Sequence, residues 1–518
     1  MITLTGQTLT IQEIVQVARE ATPVRLASES REAVQRSRAR VEKILSRKEP
    51  VYGINTGFGI FSEQQISPAD TRTLNRNLIL SHAVGAGAPL AEEVVRAAML
   101  IRANTLAKGY SGVRLVVIET LLEMLNKGVS PVVPAQGSLG SSGDLAPLAH
   151  LALVFSTDDE DREADSGTAV YRGRLTSGKQ AMESAGIPRL ILEAKEGLAL
   201  SNGATFSAAI AALACADSRY LMEVGEIALA LSLEALLGSS AAFDHRIHQA
   251  RLHPGQINTA AQIRQLIEGS TLIDSTDSVQ DAYSLRCAPQ VLGPVRETLE
   301  FAETMVNREV NAATDNPLIF AGETALSGGN FHGEALGLVM DYLGIALTEL
   351  AAISERRVFR LTDSTLNAGL PPMLVDAPDQ AGLNSGVMML QYTSASLVLE
   401  NRSLATPDST NSLPTSAEKE DHNANSMTAA RHTRQIIENT CQVLALETYT
   451  AVRALELRIR ELPGAQLGRG TAAAFEVIRE AAPYQAGDIW WRPEVDKITE
   501  LIRSQKLIWS VRQALDHG

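Results

Sequence analysis

Four long apolar-periodic runs beyond residue 200 restrict this chain more than any other feature. They cover residues 204–237, 289–312, 332–357 and 426–462. In the third, Leu336, Val339, Leu343, Leu347 and Leu350 recur at helical spacing and make one face. Runs this long and rich in Ala and Leu suit closely packed helices, and aromatic residues at 4% favour helices over a β-sandwich. The expected fold is therefore mainly all-α. An elongated helical bundle is expected over residues 201–518, with a smaller α+β portion over residues 1–200 that carries glycine-rich loops. A chain of 518 residues exceeds one ordinary core, which agrees with two such parts.

The first of those loops, Gln136 to Leu148, places three glycines and three serines just ahead of an apolar-periodic run. Gly137, Gly140 and Gly143 permit tight folding, and Asp144 stands where it can cap the helix that follows, with Pro147 inside the first turn. Phosphate binding is disfavoured because no Lys occurs between residues 128 and 178. Ser141-Ser142-Gly143 has a chemical option of its own. The amide nitrogen of Gly143 can attack the carbonyl carbon of Ser141, and Ser142 can then lose its hydroxyl as water, leaving an electrophilic methylene. The competing reading is a flexible loop ending in a capped helix.

Other polar clusters interrupt the apolar pattern. Val51 to Gly59 is a second glycine-rich loop, and Tyr52 on it is either a packing residue or a phenol presented as acid or base. His82 interrupts an apolar helical run. Gln280, Tyr283 and Arg286 are three residues apart, on one face if helical, and can bind a carboxylate through the Arg fork. Asp315-Asn316-Pro317 reads as a turn, and Gly328-Gly329-Asn330-Phe331-His332 as a glycine loop opening a helix. Glu420 and its acidic neighbours sit beside His422 before the last long run. Residues 155–190 read as a solvated excursion or hairpin, and the tail holds Trp490, Trp491 and Trp509.

Net charge of −14 argues against nucleic-acid and anionic-membrane partners. Three cysteines, widely spaced, suit a reducing compartment and neither a zinc knuckle nor a disulfide framework. Met1 to Gly6 shows no basic segment leading into an apolar one, and the apolar stretch Ile227 to Ala242 is too short to span a bilayer. The expectation is a soluble cytoplasmic protein acting on a small molecule, with no metal site.

Taken in order, these segments resemble the histidine and aromatic amino-acid lyases and aminomutases, which build a methylidene-imidazolone from their own backbone. The resemblance covers nearly the whole chain, and its strongest marks are Gly140 to Leu148, Tyr52 to Gly59, Gln280 to Gln290 and Ser327 to Phe331. Ser81-His82, Phe331-His332 and Glu420-Asp421-His422 point to the histidine branch.

The resemblance implies a helical homotetramer whose active sites draw on more than one subunit, and a 4-methylidene-imidazol-5-one formed from Ser141, Ser142 and Gly143 with no external cofactor. It implies elimination of ammonia from L-histidine to give urocanate, with Tyr52 as base for the β-proton and Arg286 as carboxylate binder. Tyr283, Asn202, Gln280 and Asn316 would line the site, Phe331 would flank the ring, and His82 and Glu420 would hold the imidazole. The alternatives are a tyrosine or phenylalanine lyase or 2,3-aminomutase of the same family, and a non-catalytic helical scaffold. Two departures from the family pattern stand out: Ser141 where Ala is usual, and Glu418-Lys419 where Asn-Gln is usual.

Overall fold

A computed structural model describes residues 1–47, 50–57, 61 and 63–516. Phe58 and Gly59 of the tyrosine loop lie outside the described residues. The protein is mainly helical, and its four longest runs are the helices Thr205–Ala235, Ala288–Glu309, Glu334–Thr362 and Ser426–Glu461. Glu334–Thr362 has the length and composition of a membrane span, but 67% of its most apolar window is buried inside the protein, which is how a core helix reads.

The chain divides into two compact units. One comprises Met1–Ala216, Ala302–Asp341 and Pro407–Arg431; the other comprises Asp217–Phe301, Tyr342–Thr406 and His432–Gly518. They interleave along the sequence instead of meeting once near residue 200, because each long helix contributes residues to both.

In the first unit, Ile2–Leu4 pairs in parallel with Val24–Leu26, and Thr10 with Glu13 closes a capping box over the helix Ile11–Arg19. The helix Glu92–Ala107 is buried from Val94 to its end, Arg96 and Arg102 included. The helix Leu115–Lys127 ends at Gly128 in the left-handed conformation, φ 75°. Strands Thr168–Tyr171 and Arg174–Ser177 form the hairpin expected within 155–190, laid against Val129–Pro131.

In the second unit, the buried Glu447 carboxylate accepts from Ser232 Oγ at 2.8 Å and Ser354 Oγ at 2.6 Å and pairs with Arg357. A buried ion pair is tolerable only with such additional donors. Trp491 packs 6.1 Å from Tyr449 with the Arg453 guanidinium over its ring, an ordinary interior contact, while Trp490 and Trp509 are exposed.

Candidate active site

The serine-glycine loop is fixed from three sides within the first unit. The Ser142 carbonyl accepts from Asn202 Nδ2 at 2.7 Å and from the Gly203 amide at 3.2 Å. Gly203 returns its own carbonyl to the Asp144 amide at 2.9 Å, so Gly143 and Gly203 form an isolated parallel bridge. Gly143 has φ +80°, and a Cβ there would stand 2.1 Å from the Gly203 carbonyl carbon. Only glycine fits this backbone, for both reasons.

Asp144 corrects one expectation. It occupies the N-cap position of the helix Leu145–Phe155, yet its side chain makes no capping bond to that helix. Its carboxylate instead accepts from the Ser207 amide at 2.8 Å and the Ser207 hydroxyl at 2.9 Å, in the first turn of Thr205–Ala235, and from Ser138 Oγ at 2.7 Å. Ser207 offers two donors at an orphan helix start, which a local cap cannot match. Burial pushes the Asp144 carboxyl above its ordinary range, opposed by these donors.

Buried cations brace the segments that hold Ser142. Arg102 donates to the Ala199 carbonyl at 3.2 Å and to Thr205 Oγ1, and burial pushes its pKa down to about 10, so it stays charged at neutral pH. Lys195 and Asp315 form a fully buried pair beside Asn316. Asn316 Nδ2 donates to Ser327 Oγ at 3.1 Å and its Oδ1 accepts from the Gly328 amide at 2.7 Å, tying that turn to the glycine loop before Phe331. A Cβ on Gly53 would meet the Pro317 ring at 2.7 Å, so glycine there lets the Tyr52 loop lie directly on the Asn316-Pro317 turn.

Above this floor opens a cavity of about 1110 Å³, lined by Tyr52, His82, Ser142, Asn202, Asn316, Phe331 and Glu420 among others. Glu420 spans both serines: Ser142 Oγ donates to its Oε1 at 2.8 Å and Ser141 Oγ to its Oε2 at 2.7 Å. The loop carrying Glu420 is closed by an antiparallel bridge to Thr415 and is not the charged helix start suggested by its acids; the helix begins at Ser426.

His82 is the last residue of the helix Thr71–His82. Ser81 Oγ commits its proton to the Leu78 carbonyl at 3.2 Å and lies 3.0 Å from His82 Nδ1. The neutral imidazole presents one donor and one acceptor nitrogen, and its tautomer decides which of them Ser81 meets. Burial holds the His82 pKa below the usual imidazole range, opposed by the Leu78 carbonyl and the Glu420 charge.

The structure thus brings together seven of the residues singled out from the sequence. Ser141 and Gly143, the chain neighbours of Ser142, are buried and not among the lining. Gln280, Tyr283 and Arg286 belong to the second unit and are not among the lining. Only Tyr283–Arg286 is helical, so Gln280 does not share a helical face with them. Tyr283 is 70% exposed, with the Arg286 guanidinium 4.6 Å over its ring, and Arg286 Nε is buried without a hydrogen-bond partner.

Asn77 and Lys419 also line the cavity; Asn77 was not singled out, and Lys419 was marked as a departure from the family pattern but not as a site residue. Asn77 was legible in principle, since Leu74, Asn77, Leu78, Ser81 and His82 follow the spacing of one helix face. Lys419 sits on an irregular loop with no such spacing, and only its departure from the family pattern marked it.

A family model described as aromatic amino acid lyase matches residues 9–480. A protein named histidine ammonia-lyase from Alkaliphilus metalliredigens (strain QYMF) is 47% identical over 517 residues, 99% of each chain. The crystal structure of histidine ammonia-lyase from Trypanosoma cruzi matches with a TM-score of 0.90 at 34% identity, covering 99% of this chain and 95% of that one. Tyrosine aminomutase from Streptomyces globisporus matches with a TM-score of 0.92 at 34% identity, covering 99% and 98%. The chain belongs to the aromatic amino acid lyase family and is thereby a carbon-nitrogen lyase.

Proposed function

We propose that this chain is a histidine ammonia-lyase, converting L-histidine to trans-urocanate and ammonia in the cytoplasm as a homotetramer. The observation that carries the substrate is the pair of polar groups lining one cavity, the His82 imidazole and the Glu420 carboxylate. A neutral substrate imidazole carries one N–H donor and one acceptor nitrogen on separate atoms and can pair with both groups at once, whereas a phenol has a single oxygen and a phenyl ring no polar atom. Full-length similarity to proteins named histidine ammonia-lyase supports the same reading.

Ser141, Ser142 and Gly143 fit the imidazolone implied by the family: the backbone at Gly143 admits no side chain, and the Ser142 carbonyl is already held by two donors. Once formed, that group supplies an electrophile for the substrate α-amine and makes it a better leaving group. The remaining work falls to side chains. Tyr52 takes the β-proton. Asn202 and the Gly203 amide draw charge onto the Ser142 carbonyl, as donors in an oxyanion hole do. Asn316 and Phe331 shape the wall. Gln280, Tyr283 and Arg286 come from a neighbouring copy, where Arg286 binds the substrate carboxylate and Tyr283 lines the pocket; the exposure of Tyr283 and the unpartnered Arg286 Nε support that assignment.

The test is to follow ammonia release and the ultraviolet absorbance of the conjugated acid with L-histidine, L-tyrosine and L-phenylalanine separately, beside an intact-mass measurement. Urocanate from histidine alone, with a chain lighter by two waters, is expected. Turnover of tyrosine in preference to histidine would move the substrate to the phenol, whose one donor His82 can accept.

Exchanging His82 for Leu is expected to lower kcat/KM for histidine by about 10- to 100-fold, the cost of leaving a substrate nitrogen unpaired, with the intact mass unchanged apart from the substitution. Because burial lowers the His82 pKa, the neutral imidazole persists as pH falls through the ordinary imidazole range of about 6.5 and is lost only below it. Wild-type kcat/KM should therefore show no loss from His82 between neutrality and that point. Unchanged histidine turnover in His82→Leu would remove the main support for the imidazole pocket.

A further inference from the structure

Ring closure takes the Ser141 carbonyl oxygen with the amide hydrogens of Ser142 and Gly143 as one water, and the Ser142 hydroxyl with its α-hydrogen as a second. The Ser141 hydroxyl is not consumed. Before closure Glu420 holds two hydroxyls, one per oxygen; the second water removes the partner of Oε1, and Oε2 keeps Ser141. Among the described residues these two serines are the only hydrogen-bond donors to that carboxylate. Ser141 itself is 7% exposed, so its hydroxyl is held by packing where a solvent-exposed one would turn freely.

We propose that Ser141 is a positioning residue in the mature enzyme: its hydroxyl, 2.7 Å from Oε2, fixes the Glu420 carboxylate so that Oε1 faces the substrate side chain. Glutamate has three rotatable side-chain bonds, and a carboxylate with no donor would sample several rotamers at the cavity wall. One retained hydrogen bond to a charged oxygen selects the rotamer that leaves the other oxygen on the Ser142 side, inside the cavity. The proposal rests on the reading of Glu420 as the acceptor for the substrate imidazole. It assigns to Ser141 a function separate from its backbone's part in the ring.

The experiment is a double-mutant cycle on the full-length enzyme with Ser141→Ala, Glu420→Ala and the pair. Ser141→Ala is expected to raise KM for histidine roughly tenfold, with kcat changed by less than about threefold and the mass still lighter by two waters. In the Glu420→Ala background the Ser141 change should add nothing, because the group it positions is gone. An unchanged KM in Ser141→Ala overturns the proposal, and so does an equal loss with and without Glu420, which would mean a packing role. Failure of the imidazole reading shows separately, as absence of histidine turnover in the wild type. The cycle then runs on whichever amino acid the wild type deaminates, and absent coupling there overturns the positioning role as well.

Discussion

A Gly143→Ala chain is expected to retain its full unmodified mass and to lose turnover by about 10³-fold or more, the scale seen when a covalent catalyst is removed outright. The added Cβ would stand 2.1 Å from the Gly203 carbonyl carbon at a φ of +80°, so the Gly143 nitrogen cannot keep the approach that ring closure needs. The left-handed conformation alone costs about 1–2 kcal/mol for a residue with a side chain. Ser142→Ala separates chemistry from strain. It removes one hydroxyl, leaves the backbone and the Asn202 bond in place, and should give the same loss of turnover with a near-native melting temperature. A Gly143→Ala protein that still loses two waters would sink the account of the loop.

Tyr52→Phe is expected to lower kcat by about 10²- to 10⁴-fold, the usual contribution of a positioned acid or base. Its intact mass should still be two waters light, since no atom of Tyr52 enters the ring. The loop beneath it is well tied: the Val51 amide donates to Asn55 Oδ1 at 2.7 Å, the Ile66 amide to the Asn55 carbonyl at 2.9 Å, and Thr56 bridges to Gln65. Loss of the phenol oxygen should therefore leave the backbone unchanged and alter the reaction alone. Undiminished turnover in Tyr52→Phe would remove it as the base.

Much of this architecture was readable beforehand, for reasons that are local. The long helices follow from spacing, and the ends of Ala288–Glu309, Glu334–Thr362 and Ser426–Glu461 fall within a few residues of the periodic runs. The site segments carried composition signals of their own, glycine at Gly143 and Gly53, an isolated polar residue at His82 and an acidic cluster at Glu420. What could not be read is which segments meet. Asp144 looked like a local cap and binds Ser207, because helix-start donors of equal quality exist in two places and only the tertiary arrangement chooses between them. Likewise the sequence marked Ser141 as a departure from the family pattern without indicating Glu420 as its partner, since nothing local links positions 279 residues apart.

That separation bears on how the protein comes into being on the ribosome. Ser142 is held by Asn202 and Gly203, 60 residues downstream, and by Glu420, 278 residues downstream. A nascent chain that has just emitted the serine-glycine loop possesses none of these restraints, so the strained backbone has nothing to hold it. The backbone of the loop gains its first distant support only once synthesis has passed residues 202 and 203, and Glu420 adds its bonds later still. Newly made enzyme should therefore gain the electrophile, and with it activity, with a lag behind translation of the loop itself.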